Sequence, residues 1–294
     1  MRLNIINACS DLGVNIDGSN LGPEVLKKYI INNDKINDII DVKYENVTKS
    51  NDKNDLAKNL GELNKFNEKL YKAVQLTKKE GIFPITVGGD HSIAISSALA
   101  SIEHENSLGI IWIDTHPDFN TFETTTTGNI HGMPLATITG NNKTKLTKFH
   151  NGNFYKNENT VIIGARDIDP LEKENLEKAN IKIFSTNDVK TKNIEKIIDE
   201  AVSVALLNTN GLHISFDIDV IDPVIAPGIS VGFKNGISKK DVEEILSALL
   251  KYKDKIKSFD IVEFNPKNDI ESKTELITKD ILIRIIDEFS DKIK

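Results

Sequence analysis

The sequence predicts an α/β fold of three layers, in which a parallel sheet lies between two layers of helices. Short apolar runs rich in β-branched residues alternate along the chain with longer segments whose apolar residues recur every three or four positions. The short runs are typical of strands and the longer segments of amphipathic helices. Because the predicted strands are apolar almost throughout, we expect helices to cover both faces of the sheet.

Each predicted strand is bounded by Gly, Pro, Asp or Asn, which interrupt regular structure. The predicted strands are 4–8, 81–87, 108–113, 160–163, 181–184, 211–216 and 259–262. The predicted helices are 55–79, 92–103, 170–179, 194–207, 239–252 and 275–287. We interpret the lysine- and asparagine-rich segment 49–54 as a solvated loop rather than a linker, and we expect one domain over residues 1–294.

The composition is that of a globular protein, with 39% hydrophobic and 28% charged residues in 294. Its 37 basic and 44 acidic residues give a net charge of −7 and the lysines are dispersed, which disfavours nucleic-acid binding. No run approaches the roughly 18 apolar residues of a membrane-spanning helix. Cys9 is the only cysteine, and the first residues lack the features of a signal peptide. We therefore expect a cytoplasmic protein that acts on a small-molecule substrate.

Three of the predicted strands end in residues that can bind a metal ion. In an open parallel sheet, ligands bind beyond the carboxyl ends of the strands, so these ends are the first place to look for a site. The candidate metal ligands are His91, Asp114, His116, Asp118, Asp217 and Asp219. Alternate side chains of extended backbone point to the same side, so the Asp-x-His-x-Asp motif at 114–118 presents its three polar side chains together. Asp217 and Asp219 have the same spacing.

Carboxylates held this close repel one another unless a cation lies between them, so the cluster predicts a metal centre. Four carboxylates and two imidazoles without a thiolate suit Mn²⁺ better than structural zinc. The six ligands also exceed what one ion needs, whereas two ions about 3.5–4 Å apart would use bridging as well as terminal ligands.

Each of these residues alone has a simpler interpretation, because a single Asp at a strand end is usually a turn or capping residue. The combination at three strand ends favours a metal centre. Gly88 and Gly89 are followed by no phosphate-binding pattern, so we interpret them as a tight turn that presents His91. We interpret Asp90 and Asp222 as carboxylates that support the site without binding metal.

Four sequence blocks together resemble those of the ureohydrolase family, which contains the arginases and agmatinases. The blocks are GGDHS at 88–92, DTHPDFN at 114–120, GNIHGMP at 128–134 and SFDIDVIDP at 215–223. The resemblance covers nearly the whole chain in the family's order and spacing. It implies an arginase-like three-layer fold, two Mn²⁺ ions per chain, a homo-oligomer (trimer or hexamer), and hydrolysis of a guanidinium group with release of urea.

Within this family the sequence resembles arginase more than agmatinase, which implies L-arginine as the substrate. The segments TTTTGN at 124–129 and RDIDPLE at 166–172 resemble those that bind the α-carboxylate and the α-ammonium group. The residues implied for these two groups are Asn120, Thr127 and Asn129 for the carboxylate, and Asp169 and Glu172 for the ammonium.

The resemblance also implies three catalytic residues. Glu263, in VEFNP, matches the glutamate that holds the guanidinium group, and His131 matches a histidine that shuttles protons. Asp118, besides binding metal, would pass the proton of the attacking water to the departing amine.

Two segments near the substrate pocket differ from the arginase pattern. Residues 226–238 read APGISVGFKNGIS and lack the family's Gly-Thr-Pro, and residues 13–20 lack an arginine common in arginases. The main alternative is therefore an agmatinase or a hydrolase of another guanidino compound. A catalytically silent homologue is expected to lack metal ligands, whereas all six are present. A nucleotide-binding α/β protein is supported by the fold class alone.

Overall fold

An eight-stranded parallel sheet forms the centre of the molecule. The structure is a computed structural model that describes residues 2–45, 47–50, 52, 54–142 and 145–290. The strands, numbered β1 to β8 along the chain, are Leu3–Cys9, Ile36–Lys43, Phe83–Gly88, Gly109–Ile113, Thr160–Ala165, Lys182–Ser185, Leu212–Asp217 and Ile256–Val262. Their order in the sheet is β2-β1-β3-β8-β7-β4-β5-β6, and every neighbouring pair is parallel.

Helices cover both faces of this sheet. The helices α1 to α9 are Gly22–Lys27, Leu60–Lys79, Ala94–Glu105, Pro134–Ile138, Pro170–Ala179, Thr186–Thr191, Ile194–Ala205, Lys239–Leu250 and Lys273–Phe289. One hydrophobic core lies under α1, α7, α8 and α9, and a second lies under α2, α3, α4 and α5. Within the described ranges, none of these helices has the length and apolar character that crossing a bilayer requires.

Alternate residues of the strands supply the two cores. In β1, Leu3 and Ile5 belong to one core, whereas Ile6 and Ala8 belong to the other. Both sets are fully buried, as the period-two geometry of a strand between two helical layers requires. The three-layer α/β fold predicted from the sequence is therefore confirmed.

The elements that the sequence analysis missed are those with weak apolar patterns. β2 was not predicted, because this edge strand reads INDIIDVK and most of its residues are at least partly exposed. The short helices α1, α4 and α6 were also missed. α2 begins at Leu60 rather than at residue 55, whereas α5 has the predicted bounds because Asp169, Pro170 and Glu172 cap its first turn.

Candidate metal centre and substrate cleft

The six predicted metal ligands lie together at the carboxyl ends of the central strands. β3, β7 and β4 supply them, and β8, which lies between β3 and β7, leads to Glu263. Five of the six ligands are buried, and only His116 among them is partly exposed. The strand order therefore brings together residues that are more than a hundred positions apart in the sequence.

The first group of ligands surrounds the Nδ1 atom of His91. Carboxylate oxygens of Asp114, Asp217 and Asp118 lie 2.9, 3.0 and 3.1 Å from this atom. None of these contacts has the geometry of a hydrogen bond to Nδ1. The nitrogen and the oxygens therefore converge in the way that ligands of one ion do.

The second group contains His116 and shares a carboxylate with the first. Nδ1 of His116 lies 2.9 Å from Asp219 Oδ2 and 3.7 Å from Asp114 Oδ1. One ligand-type atom from each of His91, Asp114 and Asp118 lies within 4.8 Å of the others, and the same holds for Asp114, His116 and Asp219, so Asp114 belongs to both sets. A carboxylate shared in this way can bridge two ions.

Backbone hydrogen bonds select the carboxylate oxygens that face the cluster. The N–H of Asp219 donates to Asp217 Oδ1 (2.7 Å), and the N–H of Thr115 donates to Asp219 Oδ1 (3.3 Å). In both aspartates the other oxygen, Oδ2, is the one that approaches a ligand histidine. The turns after the strands thus orient the ligands before an ion binds.

Two residues that the sequence analysis did not identify hold the first group in place. Ser215 Oγ lies 2.8 Å from His91 Nε2, which leaves Nδ1 to face the carboxylates. The Trp112 ring stacks on His91 at a centroid distance of 3.9 Å and donates Nε1–H to Asp114 Oδ2 (2.9 Å). Each lies two positions before an aspartate ligand, so the period-two argument could have found both.

The charges of the cluster fit a cation. Burial raises the pKa of Asp217 well above its ordinary value, and the charges of Asp219 and Asp114 raise it further. Burial also raises the pKa of Asp118 to about 7. Burial alone would lower the pKa of His91, but the adjacent carboxylates outweigh it and raise this pKa well above its usual range. Without ions the cluster therefore retains protons at its ligand atoms.

We expect metal binding to release protons and to weaken as the pH falls. The raised pKa values of Asp118, Asp217 and His91 mean that protons compete with the ions at and below neutral pH, and this competition ends as the pH rises. Calorimetric titration of the metal-free protein in two buffers of different ionisation enthalpy measures the protons released. Equal apparent enthalpies in the two buffers at pH 7 would contradict this prediction.

An ion pair between the buried Glu263 and the partly exposed His131 lies beside the ligands. Glu263 Oε1 accepts a hydrogen bond from the backbone N–H of His91 (2.8 Å) and lies 3.0 Å from His131 Nδ1. Burial opposes ionisation of Glu263, but the hydrogen bond with His131 outweighs it and lowers the pKa of this carboxyl. The same pairing raises the pKa of His131 against the effect of burial. Oε2 of Glu263 is buried and has no hydrogen-bond partner among the described residues.

Two acids of the site have left-handed backbone conformations. The φ angles are 52° at Asp118 and 67° at Glu263, values that residues with a side chain rarely adopt. Such conformations concentrate at functional sites, where the surrounding structure maintains them.

A cleft of about 220 Å³ opens on the cluster. All five residues predicted to bind the amino-acid head of the substrate line it, together with Asp118 and His131. The third predicted catalytic residue, Glu263, is not among the lining residues and contacts His131, which is. The other lining residues are His116, Thr125, Thr126, Gly132, Asp167 and Val231. Sequence reasoning did not identify Asp167, although its Oδ2 lies 3.5 Å from His116 Nε2.

Hydrogen bonds connect Phe119 and Asn120, which precede the substrate segment 124–129, to the second substrate segment, 166–172. Asn120 Nδ2 donates to Asp169 Oδ2 (3.1 Å). Glu172 is buried and accepts from the backbone N–H groups of Phe119 (2.8 Å) and Asp169 (3.2 Å), and burial raises its pKa to about 8. On the other segment, the Oδ1 atom of Asn129 is buried without a hydrogen-bond partner among the described residues.

Comparison with known proteins agrees with this arrangement. The model of the arginase family matches residues 2–287. The arginase of Staphylococcus aureus (strain MSSA476) is 35% identical over 92% of this chain and 92% of its own length. The arginase of Brevibacillus brevis is 33% identical over 99% of both chains.

The solved structures show the same relationship. The crystal structure of arginase from Bacillus subtilis subsp. subtilis str. 168 superimposes with a TM-score of 0.88 and 30% identity, covering 100% of this chain and 99% of the other. The family implies a binuclear metal site, which the clustered histidines and aspartates fit. The chain therefore belongs to the arginase family and is a hydrolase of the arginase type.

Proposed function

We propose that this protein hydrolyses L-arginine to ornithine and urea. The cleft is the observation that carries the proposal, because it combines metal ligands with the residues expected to bind an amino-acid head group. The similarity to proteins named arginase over more than nine-tenths of the chain supports the same substrate.

We propose that two Mn²⁺ ions occupy the cluster. The His91 group and the His116 group would each hold one ion, with Asp114 shared between them. The oxygen-rich donor set without thiolate suits Mn²⁺. Such a pair of ions lowers the pKa of water and so supplies a nucleophile near neutral pH.

Glu263 prepares the substrate for attack. A guanidinium group resists nucleophiles because its positive charge and double bonds are delocalised. The free Oε2 of Glu263, ionised and buried, accepts hydrogen bonds from the guanidinium nitrogens and offsets their charge. This contact orients the central carbon toward the cluster. Glu263 is itself tied to the cluster, because it accepts a hydrogen bond from the backbone N–H of the ligand His91.

Asp118 and His131 transfer the protons that the reaction requires. Water oxygen bonds to the guanidinium carbon, and the bond from this carbon to the side-chain nitrogen of arginine then breaks, which leaves urea and an amine. Asp118 reaches both the cluster and the cleft, so it can accept a proton of the water and pass it to the departing nitrogen. His131 lines the cleft beside Glu263 and exchanges protons with solvent.

The head group of the substrate is recognised on the walls of the cleft. We propose that Asn120, Thr127 and Asn129 bind the α-carboxylate through amide and hydroxyl donors, while Asp169 and Glu172 bind the α-ammonium group. Asp169 is partly exposed, so it is the acid of this pair that a substrate contacts directly.

Asp169→Asn should raise KM for arginine about tenfold to a hundredfold, because a hydrogen bond to a charged group contributes roughly 1.5–3 kcal/mol. Asparagine caps a helix as well as aspartate does, so α5 and the fold should be preserved. Steady-state urea release measures the effect. Arginine without its α-amino group is the matched control, and an equal rise in its KM would argue against this role.

The second candidate function is agmatine hydrolysis, which the altered segment 226–238 favours. Agmatine lacks the carboxylate that Asn120, Thr127 and Asn129 are proposed to bind. Urea release from arginine and from agmatine, measured on the metal-free and the Mn²⁺-loaded protein, decides between them. We expect activity only with metal and a clear preference for arginine. Preference for agmatine would replace the proposed substrate, and no urea from either would indicate a silent homologue.

We also propose a cytoplasmic location and a homo-oligomeric assembly, as a trimer or hexamer. The lone Cys9 is buried and suits a reducing compartment. Light scattering of the purified protein measures the assembly.

A further inference from the structure

One apolar side chain lies among the described residues that line the cleft. Among the described residues that line it, Val231 alone has a purely hydrocarbon side chain, and all the others are polar or glycine. Val231 lies in the segment 226–238, which differs from the arginase pattern. A substrate with a methylene chain between two charged ends therefore meets a purely hydrocarbon side chain only at Val231 among the described lining residues.

The residues before Val231 are fixed to the chain that follows the guanidinium-binding glutamate. Ile229 forms a β-bridge with Phe264. Asn265 donates its side-chain Nδ2–H to Ser230 Oγ (3.2 Å), and Ser230 directly precedes Val231. Ile229 is buried, so this side of the loop is held by packing as well as by hydrogen bonds.

The residues after Val231 are fixed by Arg166. Its guanidinium donates to the carbonyl of Phe233 from Nε (3.2 Å) and Nη2 (2.8 Å). It also donates to the carbonyls of Val220 (3.0 Å) and Asp219 (3.1 Å), in the turn that carries a metal ligand. Arg166 thus ties the loop to the metal centre, and Val231 is held between two anchored ends.

We propose that Val231 is a specificity-determining residue that selects the length of the substrate's methylene chain, with Arg166 as its positioning residue. The inference rests on the proposed function, in which Glu263 fixes the guanidinium end and Asp169 the head group. Because both ends of the substrate are fixed, an additional methylene must bulge toward the wall. Because the segments on both sides of Val231 are fixed by hydrogen bonds, its side chain cannot move away from the cleft. The longer substrate therefore binds less well in the cleft.

Two variants, one with a smaller and one with a larger side chain at position 231, test the proposal in the Mn²⁺-loaded enzyme. The substrates are arginine, homoarginine with one more methylene, and norarginine with one fewer. One methylene in an apolar pocket changes kcat/KM by roughly 10- to 200-fold. We expect Val231→Ala to reduce the preference for arginine over homoarginine about tenfold, and Val231→Leu to reduce arginine turnover about tenfold while sparing norarginine. Val224→Ala is the matched control, since Val224 lies just before the segment 226–238, is 79% exposed and does not line the cleft.

Arg166→Lys tests the anchor. Lysine keeps the charge but cannot reach three carbonyls at once, so we expect the same loss of chain-length preference as in Val231→Ala, expressed mainly in KM. Metal content, measured by elemental analysis, should stay that of the unchanged protein. Equal shifts for all three substrates would show that the anchor does not act through Val231.

A binding measurement separates this inference from the proposed function. Calorimetry with ornithine and with lysine, which has one more methylene, reports chain-length preference without turnover. Failure of the unchanged protein to release urea from arginine would remove the proposed function. Unchanged ornithine-to-lysine affinity ratios in both Val231 variants would overturn the inference, whether or not the enzyme is active.

Discussion

Asp114→Asn should remove both metal ions and with them the activity. Asp114 is the residue common to the two ligand groups, and it is fully buried. Removing one partner from a buried charge interaction costs about 3–5 kcal/mol, which corresponds to a loss of affinity between roughly a hundredfold and a few thousandfold. Metal content after gel filtration and urea release from arginine measure the two effects on the same sample.

Ligands that belong to one group only are the comparison for this experiment. Asp118→Asn should affect mainly the ion of the His91 group, and Asp219→Asn mainly that of the His116 group. Asp222→Asn is the comparison for a supporting carboxylate outside the two ligand groups: Asp222 accepts hydrogen bonds from the N–H groups of Val224 and Gly236, so its substitution should lower metal content less than substitution of a ligand. Full metal content in Asp114→Asn would show that neither ion depends on this carboxylate.

Glu263→Gln should retain metal but lose most of the activity. The substitution keeps the shape and removes the charge that offsets the guanidinium group. Loss of a buried charge partner of this kind costs about 2–5 kcal/mol, so we expect kcat/KM to fall between roughly thirtyfold and several thousandfold. Metal content distinguishes this result from that of Asp114→Asn, since the hydrogen-bond partners of Glu263 among the described residues are the backbone N–H of His91 and the side chain of His131, and neither is a ligand atom.

The pH profile provides a second readout for Glu263→Gln. The carboxylate raises the pKa of His131, so its removal should lower that pKa, and His131 should then lose its proton at a lower pH. The limb of the kcat/KM profile that requires protonated His131 should shift toward acid. An unshifted profile together with the expected loss of activity would indicate that Glu263 acts on the substrate alone.

The sequence was sufficient to predict the parts of the fold that depend on strong local patterns. The seven strands with continuous apolar runs are all present, because burial between two helical layers requires such runs. The edge strand β2 was missed because polar residues interrupt its apolar ones and seven of its eight residues are at least partly exposed. Helices of a single turn or two carry too little periodicity to be recognised.

In the candidate site, too, the residues that could be predicted are those that follow a local sequence pattern. Residues at strand ends with a spacing of two, such as Asp217 and Asp219, could be grouped because the sheet geometry alone brings them together. Arg166 and Val231 could not, because their roles depend on where a loop without regular structure returns to the sheet. Ser215 and Trp112 have the same spacing of two from an aspartate ligand, but they lie inside the predicted strands, where core packing is the simpler interpretation of a residue.

The left-handed backbone at Asp118 and Glu263 means that this protein is less stable than its fold permits. Each such conformation costs of order 1–3 kcal/mol for a residue with a side chain, and glycine would relieve it. Selection for thermal stability alone would therefore favour glycine at two positions where the proposed chemistry needs a carboxylate. Any engineered stabilisation of this enzyme should leave these two residues unchanged and seek its gains elsewhere.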